Sequence, residues 1–219
     1  MNRKPIVIFG AGGHGKVITD ILEKMGTWQI LGFLDSSRAK GSLVMDYAVL
    51  GNEEDLLTLP QDVSCIIAIG DNWTRSQVEK KLLKIKPTLF FAIAIHPGAV
   101  IGRDVEVGVG TVVMAGAVIN PCTKIGRHCK VNTGATIDHD NVLGDFSAVE
   151  PGATLSGTVS VGEFSTIAVG AKVKHGIAIG PHTVIGAGST VLSNIADHVV
   201  AYGTPAVVVR TRKVNDRYL

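Results

Sequence analysis

The sequence lacks the features that mark several classes of protein. Its three cysteines have unrelated spacings that fit neither a disulfide framework nor a zinc knuckle, so we expect reduced thiols. The net charge of +2 over 219 residues argues neither for nor against an acidic partner. We expect no nucleic-acid binding. There is no signal-peptide pattern and no apolar run long enough to cross a bilayer. We therefore expect a cytoplasmic protein without membrane insertion.

One regular pattern fills the second half of the chain. From Ile95 to Val191, every sixth residue is Ile, Val or Leu without exception. The fifth position of each hexad is usually small or β-branched, as at Ala117, Ala135 and Ala153. A period of six fits no helix and divides evenly into the alternation of a β-strand. The pattern therefore predicts short strands with a narrow, aliphatic interior.

Glycine follows a longer period that predicts how the hexads stack. One series recurs every eighteen residues from Gly108 to Gly180, and a second recurs from Gly98 to Gly188. Three hexads therefore make one turn, which predicts a parallel β-helix with three flat faces. At these fixed places we expect either a positive φ or a close approach of two backbones.

The first ninety residues predict a different structure. Apolar strands are predicted over residues 5–9, 30–34 and 65–69, with helices ending near residue 24 and spanning residues 73–86. This alternation indicates a small parallel sheet of three or four strands. Ligands of such sheets bind at the carboxyl ends of the strands, which here are a glycine-rich loop, Asp35 and Gly70.

The glycine-rich loop leaves two kinds of ligand open. Residues 10–15 match Gly-x-Gly-x-x-Gly, and Asp35 follows about twenty residues later, as in NAD-binding proteins. Physically, however, backbone N–H groups at a helix N-terminus suit any diphosphate. Three or four strands are too few for the two-half NAD fold, and His14 is unusual among such glycines. An NAD-linked enzyme remains an alternative, which cofactor titration would test.

Several motifs together carry a family resemblance. They are the glycine loop with His14, the strand end Ala-Ile-Gly-Asp-Asn at residues 68–72, Ala-Ile-His-Pro at residues 94–97, and Val-Asn-Thr-Gly-Ala-Thr-Ile-Asp-His-Asp at residues 131–140. With the hexads, they resemble the sialic acid O-acetyltransferase and nucleotide-sugar N-acetyltransferase family. Within it, the chain is most similar to perosamine and bacillosamine pathway enzymes.

The resemblance implies a fold and an activity. The fold is an α/β N-terminal domain with a small Rossmann-like sheet over residues 1–92, followed by a left-handed parallel β-helix over residues 93–219. The activity is transfer of an acetyl group from acetyl-coenzyme A to the 4-amino group of a nucleotide-linked 4-amino-4,6-dideoxy sugar for surface polysaccharide or glycan synthesis. A homotrimer is also implied. The small or apolar residues Ala115, Ala117, Val118, Val149 and Ala153 suggest a coil face that would benefit from cover.

The resemblance also implies site residues. The nucleotide sugar is expected at Gly12, Gly13, His14, Asp35, Ser36 and Gly70. Relatives often have a second acidic residue where this chain has Ser36. The coenzyme is expected in a groove between subunits near Ala148, Gly157, Val169 and Ala187. Some relatives have a histidine where this chain has Ala148, so that contact is absent or supplied differently.

His139 is the expected general base, with Asp140 orienting its ring. Histidine has an ordinary pKa near 6.5 and suits proton acceptance at neutral pH, while an adjacent carboxylate fixes the tautomer. Strand alternation would place Asp138 and Asp140 on one side and His139 on the other. The pairing of His139 with Asp140 therefore requires Asp140 to lie at a bend.

Other functions remain open on sequence alone. A sugar O-acetyltransferase and a non-catalytic nucleotide-sugar-binding protein share much of this pattern, although a sensor would not need both His139 and Asp140. His139 and His175 lie two turns apart, roughly 9.6 Å, which is too far for one zinc to bridge, so no metal is predicted. The nucleobase, the sugar, the acyl group and the choice between amine and hydroxyl stay undetermined.

Overall fold

A computed structural model describes residues 3–216 of the chain. The chain divides into two compact units, Met1–Pro97 and Gly98–Leu219. The elements of the first unit are β1 (Lys4–Phe9), α1 (Gly13–Met25), β2 (Trp28–Leu34), β3 (Leu43–Val44), β4 (Tyr47–Gly51), a 3-10 helix (Glu53–Thr58), β5 (Ser64–Ile67), α2 (Asn72–Ile85), β6 (Phe90–Phe91) and β7 (Ala94–Ile95). The three predicted strands and both predicted helices are present, with bounds shifted by one or two residues.

The sheet of the first unit is larger than its sequence indicates. Its six strands have the order β3-β4-β2-β1-β5-β6, and all neighbours are parallel except the hairpin β3-β4. The expectation of three or four strands was wrong because β3 and β6 are only two residues long and show no alternation. Buried side chains such as Val7, Leu34, Ile67 and Leu82 form the core.

The second unit consists of very short strands at constant spacing. From Val100 to Val191, a two-residue strand begins every six residues. The strands are β8 (Val100–Ile101), β9 (Glu106–Val107), β10 (Val112–Val113), β11 (Val118–Ile119), β12 (Lys124–Ile125), β13 (Lys130–Val131), β14 (Thr136–Ile137), β15 (Val142–Leu143), β16 (Ala148–Val149), β17 (Thr154–Leu155), β18 (Ser160–Val161), β19 (Thr166–Ile167), β20 (Lys172–Val173), β21 (Ala178–Ile179), β22 (Val184–Ile185) and β23 (Thr190–Val191).

These strands pair with their equivalents one turn away along the chain. Ile119 pairs with Ile137, and Ile137 pairs with Leu155, each in parallel register at a separation of eighteen residues. The result is a left-handed parallel β-helix, as expected. Its first face contains β10, β13, β16, β19 and β22, its second face β8, β11, β14, β17, β20 and β23, and its third face β9, β12, β15, β18 and β21.

The interior of the coil follows the hexad pattern. The aliphatic first positions are buried from Val113 to Val191, and the fifth-position alanines Ala117 and Ala153 have no exposed surface. At the start of the coil the pattern fails, because Ile101 is 37% exposed. Ala117, Val149 and Ala153 are buried in this interior, so the expectation that they belong to a coil face in need of cover was wrong.

The two glycine series have different physical causes. Gly152 has a φ of +65°, and a Cβ atom there would meet nothing within 4 Å, so the left-handed backbone alone favours glycine. Gly144 does not have a positive φ. A Cβ atom on Gly144 would lie 2.5 Å from the backbone nitrogen of Glu163 in the next turn. One series therefore forms corners, and the other lets successive turns approach.

A hairpin follows the last turn. β24 (Val199–Gly203) extends the first face in parallel with β22, and β25 (Ala206–Thr211) returns antiparallel to β24. Within residues 3–216, none of the helices has the length and apolar character needed to cross a membrane.

The two glycine series predict different responses to alanine. Gly152→Ala should lower the free energy of unfolding by about 1–2 kcal/mol, the usual cost of a left-handed backbone for a residue with a Cβ. Gly144→Ala should cost more, because backbone of the neighbouring turn must move. Denaturant unfolding of both variants at equal protein concentration measures the difference, and a Gly144→Ala protein more stable than Gly152→Ala would contradict this explanation.

Candidate active site

The first cluster of candidate residues lies at one edge of the N-terminal sheet. β2, β1 and β5 are neighbours and parallel, so their carboxyl ends meet at the same edge. The glycine loop follows β1, Asp35 follows β2, and Gly70 lies three residues beyond β5. A hydrogen bond from Gly10 N to Leu34 O at 2.8 Å and one from Ala68 N to Phe9 O at 2.7 Å join these ends. The structure therefore brings the predicted nucleotide-sugar residues of the first unit together.

Asp35 holds the glycine loop with its carboxylate. Its Oδ2 accepts a hydrogen bond from Ala11 N at 2.8 Å, and its Oδ1 accepts from the backbone N and the Oγ of Ser37. Burial alone would raise the pKa of Asp35, but these hydrogen bonds from Ser37 and Ala11 outweigh it and lower the pKa. The carboxylate therefore stays ionised and shapes the loop.

The other residues of this edge remain accessible. Gly12 is the N-cap of α1, and Gly13 is its first residue; both are exposed, as is Ser36. A Cβ atom at Gly12 or Gly13 would meet nothing within 4 Å. His14 and Gly70 are half-buried. The start of α1 therefore presents backbone N–H groups without a side chain in front of them, which suits an approaching phosphate.

A buried arginine that the sequence did not single out supports this edge. Arg75 of α2 is only 1% exposed, and its Nη1 donates to the carbonyl oxygens of Ile69 at 2.9 Å and Gly70 at 3.1 Å. Its Nη2 donates to Asn72 Oδ1 at 2.8 Å. Arg75 thus fixes the segment that ends in Gly70. The sequence gave no signal of this role, because Arg75 is one of several charged residues in the predicted helix.

The second cluster lies at the corner between the second and third faces of the coil. Asp140 has a φ of +58°, which supplies the bend that the predicted pairing requires. The Nδ1 of His139 lies 2.7 Å from Asp140 Oδ2. Because a carboxylate only accepts hydrogen bonds, Nδ1 carries the proton and Nε2 is left as an acceptor. This hydrogen bond to the Asp140 carboxylate raises the pKa of His139 above its ordinary value.

Asp138 has a different arrangement from Asp140. Its Oδ1 accepts hydrogen bonds from Asn120 Nδ2 at 2.8 Å and from the backbone N of His139 at 2.9 Å. The Asn120 hydrogen bond is the main cause of its lowered pKa. Asp138 therefore stays ionised and holds the backbone of the corner.

Asn141 anchors the corner from inside the coil, and sequence reasoning missed it. The residue is fully buried, and its Nδ2 donates to the carbonyl oxygens of Asp138 at 2.6 Å and Ser156 at 3.1 Å. Its Oδ1 accepts from Val159 N at 3.1 Å in the next turn. A signal was available, because an amide occupies a fifth hexad position where small residues are usual.

An open groove runs beside this corner on the second face. Its volume is about 260 Å³, and it is lined by Val118, Asn120, Thr136, Ile137, Asp138, Thr154, Leu155 and Ser156. Thr136 Oγ1 donates to Thr154 Oγ1 at 3.0 Å, which joins two adjacent turns. The groove combines hydroxyl, amide and carboxylate groups beside the corner that carries His139. A polar substrate that accepts an acetyl group would require such groups.

His139 and His175 approach more closely than the two-turn spacing of their backbones suggests. Their ring centroids are 6.4 Å apart, compared with the expected 9.6 Å between turns. Gly157 lies in the turn between them, and the absence of a side chain there leaves room for both rings. Among the described residues, no three His, Cys, Asp or Glu side chains are grouped to hold a metal ion.

The four residues expected at the coenzyme do not form one cluster. Ala148 is fully buried, so its side chain has no surface with which to line a groove. Gly157 lies at the His139 corner. Val169 and Ala187 are exposed and occupy the same position of successive turns at another corner, after the first face. The groove expected between subunits stays a prediction, with Val169 and Ala187 as its exposed pair of candidates.

Comparison with known proteins finds similar sequences and structures. Residues 5–82 match the family model described as the PglD N-terminal domain. The UDP-N-acetylbacillosamine N-acetyltransferase of Bacillus subtilis (strain 168) is 37% identical over 114 residues, which are 51% of this chain and 52% of that enzyme. The chain thus spans about half the length of this curated relative.

Solved structures match over nearly the whole length. PerB from Caulobacter crescentus, in complex with CoA and GDP-perosamine, is 37% identical, with a TM-score of 0.88 and coverage of 94% of this chain and 97% of that chain. The acetyltransferase domain of PglB from Neisseria gonorrhoeae FA1090 is 33% identical, with a TM-score of 0.88 and coverage of 94% and 100%. The chain belongs to this nucleotide-sugar N-acetyltransferase family. In the family, a histidine-to-alanine mutant of the Caulobacter crescentus enzyme has been solved with CoA and GDP-perosamine.

The His139–Asp140 contact predicts a measurable titration. Because Asp140 raises the pKa of His139, Asp140→Asn should lower it, and the ring should lose its proton at a lower pH than in the parent protein. Nuclear magnetic resonance of the imidazole Cε1–H measures the titration curve of His139 in the parent protein and in Asp140→Asn. Asp197→Asn is the matched control, because Asp197 makes a similar contact with the neighbouring His198, and it should leave the pKa of His139 unchanged. An unchanged His139 pKa in Asp140→Asn would rule out this cause.

Proposed function

We propose that this protein transfers an acetyl group from acetyl-coenzyme A to the 4-amino group of a nucleotide-linked 4-amino-4,6-dideoxy sugar. The observation that carries the proposal is the His139–Asp140 hydrogen bond at a corner beside an open polar groove. Membership in a family whose members include a structure with CoA and GDP-perosamine supports the choice of ligands. We also propose that it works in the cytoplasm in surface polysaccharide or glycan synthesis.

His139 is assigned the role of general base. An amine must lose a proton as it attacks a thioester carbonyl, and His139 Nε2 is the free acceptor of the ring. Asp140 holds the tautomer through Nδ1 and stabilises the imidazolium that forms. Asn141 and Asp138 hold the backbone on which His139 is carried. The raised pKa makes the base stronger, so catalysis should increase with pH as His139 loses its proton.

We assign binding of the nucleotide to the first unit. The exposed start of α1 at Gly12 and Gly13 would bind the diphosphate through backbone N–H groups, with His14, Ser36 and Gly70 beside it. Asp35 would act through the loop that it holds, since both its oxygens already accept hydrogen bonds. Acetyl-coenzyme A would supply the acetyl group at the coil, with Val169 and Ala187 as candidate contacts.

Removal of the base tests the mechanism. His139→Ala should lower kcat by about 10²- to 10⁴-fold, the usual contribution of a general base, while acetyl-coenzyme A binding is retained. The assay follows coenzyme A release with a panel of UDP-, dTDP- and GDP-linked 4-amino sugars. Ser193→Ala, at the same position of a later turn, is the control. A His139→Ala enzyme within tenfold of the parent at pH 7 would refute the assignment.

A substitution in the first unit tests the division of labour. Gly13→Ala adds a methyl group at an open point of the helix start, so the fold should keep its thermal midpoint while the phosphate is obstructed. Nucleotide-sugar affinity should fall by roughly tenfold, about 1.4 kcal/mol, and acetyl-coenzyme A affinity should change little. Calorimetric titration with each ligand measures both, and equal losses would contradict separate binding regions.

The family resemblance also predicts a homotrimer. Sedimentation equilibrium should therefore give a mass about three times the 23.0 kDa of one chain. A stable monomer with full acetyltransferase activity would show that a subunit interface is not needed for the site.

A further inference from the structure

Hydroxyl side chains at the fifth position of the hexads share a pattern of hydrogen bonds inside the coil. Thr111 is fully buried, and its Oγ1 donates to Gly126 O at 2.8 Å and accepts from Cys129 N at 2.9 Å, both in the next turn. Ser165 makes the equivalent contacts fifteen and eighteen residues further along the chain. A hydroxyl at this position therefore joins one turn to the next.

Asn141 makes these two contacts and adds others. Its Nδ2 donates to Ser156 O at 3.1 Å, and its Oδ1 accepts from Val159 N at 3.1 Å, which reproduces the hydroxyl pattern. The same Nδ2 also donates to Asp138 O at 2.6 Å and His139 O at 3.2 Å in its own turn. An amide nitrogen has two protons to share among these carbonyl oxygens, whereas a hydroxyl has one, which the contact with the next turn already uses.

The bend at this corner does not need an amide. Thr158 occupies the same position as Asp140 one turn later, and its φ of +60° is close to the +58° of Asp140. The residue after Thr158 is Val159, which has no polar side chain. Of the fifth positions of all hexads, only that of Asn141 holds an amide. The chain therefore has an amide at the turn that carries His139, although the coil forms the same bend without one.

We propose that Asn141 is a positioning residue, which fixes the general base His139 relative to the neighbouring turn that forms a wall of the open groove. This inference rests on the proposed function and adds a residue that is buried away from the substrate. The amide joins the peptide groups that carry His139 to Ser156, which lines the groove. A displacement of about 1 Å at a reacting group can lower a rate about 100-fold. Asn141 would therefore act on the distance between His139 Nε2 and the bound amine.

Asn141→Thr tests this inference because it removes only the contacts that distinguish the amide from a hydroxyl. The new side chain can donate to Ser156 O and accept from Val159 N, as Thr111 does with its own next turn. It has no second proton for the two carbonyl groups of the corner. The thermal midpoint should therefore stay near that of the parent, while kcat falls by about 10- to 100-fold and KM changes little. Coenzyme A release with the 4-amino sugar that the parent acetylates measures both constants.

Thr111→Val is the matched control. It removes the hydroxyl contacts with the next turn at another corner of the coil, between the third and first faces, and keeps the shape of the side chain. It should lower the thermal midpoint and leave kcat at the parent value. In a His139→Ala background, Asn141→Thr should cause no further loss of kcat, because a residue that acts through the base has nothing to position once the base is removed.

The titration of His139 gives a second readout that needs no substrate. If Asn141 holds the corner, Asn141→Thr should weaken the contact of His139 Nδ1 with Asp140 and lower the pKa of His139, which that contact raises. Nuclear magnetic resonance of the imidazole Cε1–H measures this pKa in the parent and in both variants. Thr111→Val should leave it unchanged. A merely structural role of Asn141 would change the thermal midpoint and not this pKa.

The outcomes separate this inference from the proposed function. A parent enzyme that acetylates no amino sugar in the panel overturns the proposed function, while the titration of His139 still decides whether Asn141 holds it. An Asn141→Thr enzyme with the parent kcat, or with only a raised KM, overturns the role of Asn141. An equal loss of kcat in Thr111→Val overturns it as well, because any loosening of the coil would then suffice. An unchanged titration of His139 in Asn141→Thr also contradicts it.

Discussion

The backbone ladder between positions eighteen residues apart is the constraint on which the coil depends. Inside each face, a two-residue strand pairs in parallel with its equivalents in the turns before and after it, as β14 does with β11 and β17. Every residue is therefore stacked on residues of the same position in other turns. An aliphatic residue at a first position is followed by another beneath it, so the interior fills without long side chains. The sequence period is a consequence of this stacking.

The same constraint positions the chemistry. His139, Gly157 and His175 form one column at the corner between the second and third faces, so their spacing follows from the turn length. The left-handed backbone at Asp140 turns its carboxylate back toward His139 Nδ1. Asn141, placed where the neighbouring hexads have the small residues Ala135 and Ser147, ties the corner to the turn that contains Val159. The proposed general base is thus held by the backbone ladder, which would reduce the reorganisation needed during proton transfer.

The sequence predicted those features that repeat or that depend on local order. The coil, its turn length and the strands β1, β2 and β5 all produce periods or apolar runs that are visible in one dimension. The strands β3 and β6 did not, because two residues show no period. The partners of Asp35 and the burial of Ala148 also depend on contacts between distant segments. The approach of His139 to His175 was missed because backbone spacing does not determine where side chains lean, and here Gly157 decides it.

Asp35 shows how this distinction affects the interpretation of the site. In the sequence it stands where NAD-binding proteins have an acidic residue that contacts the ribose. In the structure, Ala11 and Ser37 donate to its two oxygens, and its lowered pKa keeps it a charged acceptor for those donors. A carboxylate that is engaged in this way shapes the loop before any ligand arrives. Under the proposed function, selection among nucleotides would therefore fall to groups that are still exposed at this edge, among them Ser36 and the start of α1 at Gly12 and Gly13.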